Sequence, residues 1–182
     1  GGKGTALAVD NENNFLYLHN RNDNKIYSFE INSSGCVDTV ERGSWTNPCG
    51  TSFGMAINPT DSSILYSSGY NTNKICKMKL NDSRTALKAD SADNMNVGIG
   101  DAYETSVAGS IYFYKPRYLA FNDSDQLLVA NSERIEITVL DKDLNFVRVF
   151  GLSGVSRLRG AIDAITAVVT DSALTEGALF GL

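Results

Sequence analysis

A motif of three short strand signals recurs along this chain, and its period limits the possible folds more than any other feature. The first copy spans residues 7–32, LAVDNENNFLYLHNRNDNKIYSFEIN. An apolar run (Leu7, Ala8, Val9) stops at Asp-Asn-Glu-Asn-Asn, and a second, residues 15–18, stops at Asn-Arg-Asn-Asp-Asn. A third carries Tyr27, Phe29 and Ile31 at a period of two. Short apolar runs punctuated by Asn/Asp clusters predict an antiparallel meander. In the second copy, residues 55–81, Leu7-Ala8-Val9-Asp10 align with Met55-Ala56-Ile57-Asn58. Leu16-Tyr17 then match Leu65-Tyr66, and Asn24-Lys25-Ile26 match Asn73-Lys74-Ile75. A third copy starts at Leu119, with Leu127 to Asn131 as its second strand and Ile135, Ile137 and Val139 on one face of its third. Residues 165–182 offer the beginning of a fourth.

From first strand to first strand the steps are 48 residues (Leu7 to Met55), 64 (Met55 to Leu119) and 46 (Leu119 to Ile165). They bracket the ~40–50 residues of a propeller blade, a four-stranded antiparallel sheet that buries its faces only against neighbouring blades. The predicted fold is therefore all-β, about three blades plus a partial fourth, with the first strand of each blade innermost. Blades are expected over residues 6–50, 51–96, 116–153 and, in part, 162–182, with a connector over 97–115. Fourth strands are predicted at 37–43, 85–89 and 146–150. A ring typically needs ~4–8 blades. The chain is then expected to be part of a longer propeller, to complete its ring with a second copy, or to pack end to end through open blade edges.

The runs FLYLHN, ILYSSG and QLLVAN, each after a short apolar strand ending in Asp or Asn, resemble the LYVAN/LYVAD signature of NHL-type and lactonase-type (YVTN) β-propeller repeats. The third unit is the most NHL-like, with Pro116 before its inner strand, then LLVAN, then LNFVRVFG. The preceding GIGDAYETSVAGSIYFYKP is similar to the Gly-Asp-rich connector before an NHL blade. The resemblance covers nearly the whole chain and implies the fold; the same repeats serve enzymes and binding scaffolds alike.

With 42% hydrophobic and 20% charged residues, the chain can bury a core and is not disordered. No apolar run approaches the ~18–20 residues of a membrane span. A net charge of −5 with scattered basic residues lacks the Lys/Arg stripe a nucleic-acid surface needs. The N-terminus, GGKGTALAVD, has neither an initiator Met nor a signal-peptide layout, which predicts a processed or excised piece.

Three Asn-x-Ser/Thr sequons, at Asn32, Asn81 and Asn122, fall at predicted strand ends where a turn can carry a glycan, and they lean the reading toward a secreted glycoprotein. Cys36 and Cys49 flank the outer strand of the first blade and are candidates for a disulfide, leaving Cys76 as an apolar filler; an extended 37–43 segment would hold them apart unless the chain turns back over residues 43–48. His19 is the only histidine, so a multi-histidine metal site is excluded within this chain. It is read as a packed or hydrogen-bonded strand-end residue. Asp10, Glu12, Asp61, Asp123 and Asp125 sit in turns where Asx geometry accounts for them. Calcium at Asn122-Asp123-Ser124-Asp125 is the one cofactor the residue types suggest, although the loop lacks the Gly and distal Glu of an EF-hand. Gly98-Ile99-Gly100-Asp101 reads as a connector turn, not a nucleotide loop, because no βαβ unit surrounds it. Tyr103, Tyr112, Phe113 and Tyr114, in the longest non-repeating stretch, are the candidate partner contacts, with packing on the second and third blades as the competing account.

No catalytic cluster is evident. The leading expectation is a non-enzymatic extracellular scaffold for a protein or glycan partner, or for surface or fibrous assembly. The alternative implied by the resemblance is a lactonase-like hydrolase with a divalent metal in the central channel.

Overall fold

In the computed structural model, residues 2–98 and 111–151 are described. The chain divides at Phe150/Gly151, and the architecture below is that of the first unit, Gly1–Phe150. The predicted partial fourth blade lies outside the described residues. Among the described residues, twelve strands form three four-stranded sheets. The first holds β1 (Gly4–Asp10), β2 (Phe15–Asn20), β3 (Lys25–Ile31) and β4 (Val37–Thr46); the second holds β5 (Met55–Ile57), β6 (Ile64–Gly69), β7 (Lys74–Lys79) and β8 (Met95–Val97). The third holds β9 (Pro116–Phe121), β10 (Leu127–Asn131), β11 (Glu136–Leu140) and β12 (Phe146–Gly151). Within each sheet the strands lie side by side in chain order. The inner strands are neighbours in turn, β1 touching β5 and β5 touching β9.

The Asn and Asp residues that punctuate the sequence build the hairpins. At the end of each inner strand a side-chain oxygen accepts two backbone N–H groups. Asp10 Oδ1 takes those of Glu12 and Asn13, Asn58 Oδ1 those of Thr60 and Asp61, and Asn122 Oδ1 those of Ser124 and Gln126. The third strands end the same way. Asn32 Oδ1 accepts from Ser34 and Cys36, Asn81 Oδ1 from Thr85 and Ala86, and Asp141 Oδ1 from Asp143 and Asn145. These Asx turns satisfy backbone donors that a tight turn would otherwise leave to solvent.

Between the second and third strands one residue per blade takes a left-handed conformation: Asn24 (φ 56°), Asn73 (φ 54°) and Ile135 (φ 54°). Asn tolerates this region, but a β-branched side chain is strained there by roughly 1–2 kcal/mol. Ile135 is also 74% exposed, so it recovers little by burial. Ile135→Asn is expected to raise stability by about 1 kcal/mol, read as a higher urea midpoint at unchanged slope.

Two cores lie between the sheets. Ala6, Ala8, Tyr17, Ile26 and Trp45 of the first blade meet Met55, Leu65, Met78 and Leu80 of the second. The opposite face of the second blade (Ile64, Tyr66, Ile75) meets Leu127, Val129 and Leu140 of the third, with Phe113 and Leu144. Sandwiched on both sides, β6 is buried at every position, whereas β2 and β10 alternate. Each fully buried aliphatic side chain contributes about 1.5–3 kcal/mol, so blade-to-blade burial carries the fold. Polar ties cross the second interface as well. Tyr66 donates to Lys142 O (2.6 Å), and burial, against a hydrogen bond from Asn58, pushes its phenol up to about 12. The nearly buried Lys77 reaches Asp143 Oδ1 at 2.7 Å.

The fourth strand of the second blade is not at residues 85–89. Its place beside β7 is taken by β8, which pairs Val97 with Ile75, Asn96 with Cys76 and Met95 with Lys77. Residues 85–89 instead make a single bridge, Leu87 to Leu80, with Leu87 packed against the first core. Asn94 then turns the chain back, donating to Lys88 O and Ala89 O and accepting from Lys79 N.

Candidate functional site

One end of the sheets gathers the starts of the inner strands and the turns between second and third strands. There the junction from the first blade to the second is pinned by the buried His19 and Asn47 and the half-buried Thr5 and Asn24. Thr5 Oγ1 donates to Ser52 O (2.7 Å), and His19 contacts Thr5 Oγ1 through Nδ1 (2.9 Å) and Asn24 Oδ1 through Nε2 (3.3 Å). Asn24 Nδ2 donates to Asn47 O, and Asn47 Nδ2 to Gly50 O and Ser67 Oγ. His19 is fully buried, with both ring nitrogens turned toward this strut.

Burial pushes the His19 imidazole below its ordinary value, against hydrogen bonds to Asn24 and to the Ser52 backbone that favour the charged ring. The folded protein therefore holds the neutral form while the unfolded chain takes up a proton near pH ~6.5. This contribution is complete above that pH and is lost as pH falls toward the depressed folded value, with a slope of at most about 1.4 kcal/mol per pH unit. His19→Gln is expected to flatten the dependence. Urea midpoints between pH 7.5 and 5 check it, and an unchanged slope in the variant would refute the assignment.

The cysteine pairing differs from the expected one. Cys49 is bonded to Cys76, with their Cα atoms 5.7 Å apart, and Cys36 is free and exposed. The reason is the length of β4. Cys36 sits in the turn that precedes it, and ten strand residues at about 3.3 Å each carry the chain away before Cys49 is reached. Cys49 arrives beside β7, where Cys76 occupies the repeat position of Tyr27.

The candidate partner contacts separate. Phe113 is 1% exposed in the second core, so it is a packing residue and not a partner contact. Tyr114, next in the chain, is half-buried, and its backbone N–H donates to Asn131 Oδ1 at 2.7 Å. Tyr112 is also half-buried and its carbonyl accepts from Asn131 Nδ2. Tyr103 lies outside the described residues. Asn32 is exposed, and Asn81 and Asn122 are half-buried.

Beside the axis a second group assembles. Phe53 and Tyr70 meet edge to face, ring centroids 4.9 Å apart. The Arg117 guanidinium lies over both rings, 5.2 Å from Tyr70 and 5.7 Å from Phe53. Lys115 Nζ lies over Tyr70 (5.7 Å) and Tyr114 (5.3 Å). Phe53 lies just before β5 and Arg117 at the start of β9, two successive inner strands, and Tyr70 directly follows β6 between them. The sequence does carry a trace of this: aromatic and cationic residues flank the Pro that opens β9, in Tyr-Lys-Pro-Arg-Tyr. What it lacks is any sign that Phe53 and Tyr70 join them.

Next to this group opens a cavity of ≈ 420 Å³, walled by residues 4–7, Leu18, 53–55 and 118–119. Its walls carry Gly, Ala, Leu, Met, Phe and Tyr with Thr5, and no carboxylate. Among the described residues no three His, Cys, Asp or Glu side chains converge as a metal site would need. These residues do not fit a channel-bound divalent ion. At the Asn122 loop, Asn122 Oδ1 is committed to two backbone N–H groups. Among the described residues, no helix is long and apolar enough to cross a membrane.

No described protein family and no curated protein matches the sequence. Solved structures do match in fold. The chain is similar to the Swd1 (Cps50) β-propeller domain of Myceliophteria thermophila, with TM-score 0.56 and 8% identity over 81% of this chain and 42% of that one. The fold is a β-propeller. Other propeller-like matches are a putative 6-phosphogluconolactonase from Bacteroides fragilis (TM-score 0.51, 18% identity, 80% of this chain and 36% of that one) and a catalytically inactive virginiamycin B lyase from Staphylococcus aureus (TM-score 0.51, 16% identity, 84% and 42%). The chain thus spans roughly two fifths of the length of these propellers. At such identities the likeness is one of fold alone.

Proposed function

We propose that this chain is part of a non-enzymatic, extracellular β-propeller scaffold of NHL-like type that binds a protein or glycan partner at the mouth of its axial channel. The observation that carries the reading is the cluster of Phe53, Tyr70, Tyr114, Lys115 and Arg117 beside a cavity whose walls lack acid/base groups. Aromatic and Arg side chains are the residues most often responsible for binding energy at interfaces. The extracellular assignment is supported by the Cys49–Cys76 bridge, which suits an oxidising compartment, and by sequons placed in turns. Assembly is a second reading, favoured by the first blade's outward face, where Leu7 is 60% exposed beside the exposed Val9.

The test is a binding screen of the folded chain against arrays of extracellular protein domains and glycans, in parallel with Tyr70→Ala. A ligand whose affinity falls at least tenfold in the variant supports the proposal. Calcium-dependent turnover of lactones by the wild-type chain, or binding indifferent to Tyr70, would overturn it.

A further inference from the structure

Arg117 is an unusual cation. Its guanidinium rests on Phe53 and Tyr70, its Nε is buried without a hydrogen-bond acceptor, and no carboxylate among the described residues pairs with it. Lys115, which shares the Tyr70 ring, has only a long contact to Glu133 Oε1 at 3.9 Å. Several other basic side chains are paired with carboxylates: Arg42 with Glu30 and Asp38, Lys79 with Asp61, Arg134 with Glu136, each within 2.9 Å. A partly buried guanidinium without an anion is costly, and an incoming carboxylate removes that cost while gaining charge-assisted hydrogen bonds.

We propose that Arg117 and Lys115 form a receptor for a carboxylate on the partner, and that the carboxylate belongs to an acidic peptide segment. The inference rests on the recognition face described above and specifies its ligand. Peptide is favoured over an acidic sugar by the state of the rings. Cations lie over Phe53, Tyr70 and Tyr114, so these rings are already engaged and do not offer the open platform on which a sugar ring stacks. What remains for the ligand is the donor edge of the guanidinium and the Lys115 ammonium, a match for an Asp or Glu side chain. The net charge of −5 does not prevent approach, because at physiological salt charges beyond about 8 Å are largely screened.

The test is titration of the chain, followed by NMR or calorimetry, with acetylated and amidated Glu-Glu-Glu, with Gln-Gln-Gln and with glucuronate. The expected result is binding of the Glu peptide alone, weakened at least tenfold by Arg117→Gln and by raising salt from 50 to 500 mM. Lys115→Gln should weaken it less, and Arg148→Gln, a change at a cation stacked on Phe150, should leave it unchanged. Arg117→Gln gives up its ring contacts but no ion pair among the described residues, so its melting temperature is expected within about 4 °C of wild type; should it fail to fold, Lys115→Gln carries the test. Equal or tighter binding of glucuronate overturns the peptide assignment. Binding of a partner that depends on Tyr70 but not on Arg117 or salt overturns the carboxylate receptor and leaves the recognition face standing.

Discussion

Reduction of the Cys49–Cys76 bond is expected to lower the free energy of unfolding by about 3–4 kcal/mol. The bond closes a loop with a sequence separation of 27 residues, and loop-closure entropy removed from the unfolded chain scales to that value. The loop contains β5, β6 and the turn into β7, so the bridge ties the entry of the second blade to its third strand. Both sulfur-bearing residues are buried, which keeps the bond from solvent reductants until the blade opens. Guanidinium denaturation with and without reductant measures the loss directly, and the Cys49→Ala/Cys76→Ala pair should reproduce it. Cys36→Ala, at the exposed free thiol, is the control and should change nothing beyond about 0.5 kcal/mol. Equal stability of oxidised and reduced protein would refute the pairing.

Gly54→Ala is expected to cost about 3 kcal/mol, more than its single methyl suggests. A Cβ at residue 54 would stand 2.1 Å from Arg117 O, 2.8 Å from Tyr118 Cα and 2.9 Å from Leu119 N. All three are backbone atoms of the neighbouring inner strand, so no side chain can swing aside, and overpacking of this kind costs typically 1–3 kcal/mol and more where nothing yields. Relief requires β9 to move away from β5, which would break the hydrogen bond from Ser68 Oγ to Arg117 O (2.8 Å) and displace the Arg117 guanidinium from its rings. The variant should therefore lose ligand affinity as well as stability. Gly35→Asn provides the contrast. A Cβ at residue 35 would meet nothing within 4 Å, and Asn tolerates the φ of 77° found there, so the effect should be small. A Gly54→Ala protein as stable as wild type would show that the inner strands are not in contact at this point.

Much of this architecture is legible in the sequence because the repeat writes its turns in side-chain chemistry. Asp10, Asn58 and Asn122 align as strand ends, and each becomes an Asx turn with two backbone N–H partners. Strands with an apolar face are legible too, since period-two alternation survives wherever one face is covered. The weak point is the outer strand of the second blade. Met95-Asn96-Val97 is short and mostly exposed, with no pattern to mark it, while Leu87 nearby is apolar for a different reason, the first core. Long-range pairings are the other gap. Cys49 meets Cys76, and Arg117 meets Phe53 and Tyr70, only because successive blades stack, whereas Phe53 and Tyr70 meet across the β5–β6 hairpin.

The Asx turns have one more consequence, which concerns how the molecule would present itself. Asn32 and Asn81 close the turns between third and fourth strands, and Asn122 closes one between first and second, so all three lie at the end of the sheets opposite Phe53, Tyr70 and Arg117. In each, Oδ1 holds the turn, whereas an N-linked sugar attaches through Nδ2 and leaves that oxygen in place. Any glycans carried by these residues would coat one end of the sheets and leave the other bare.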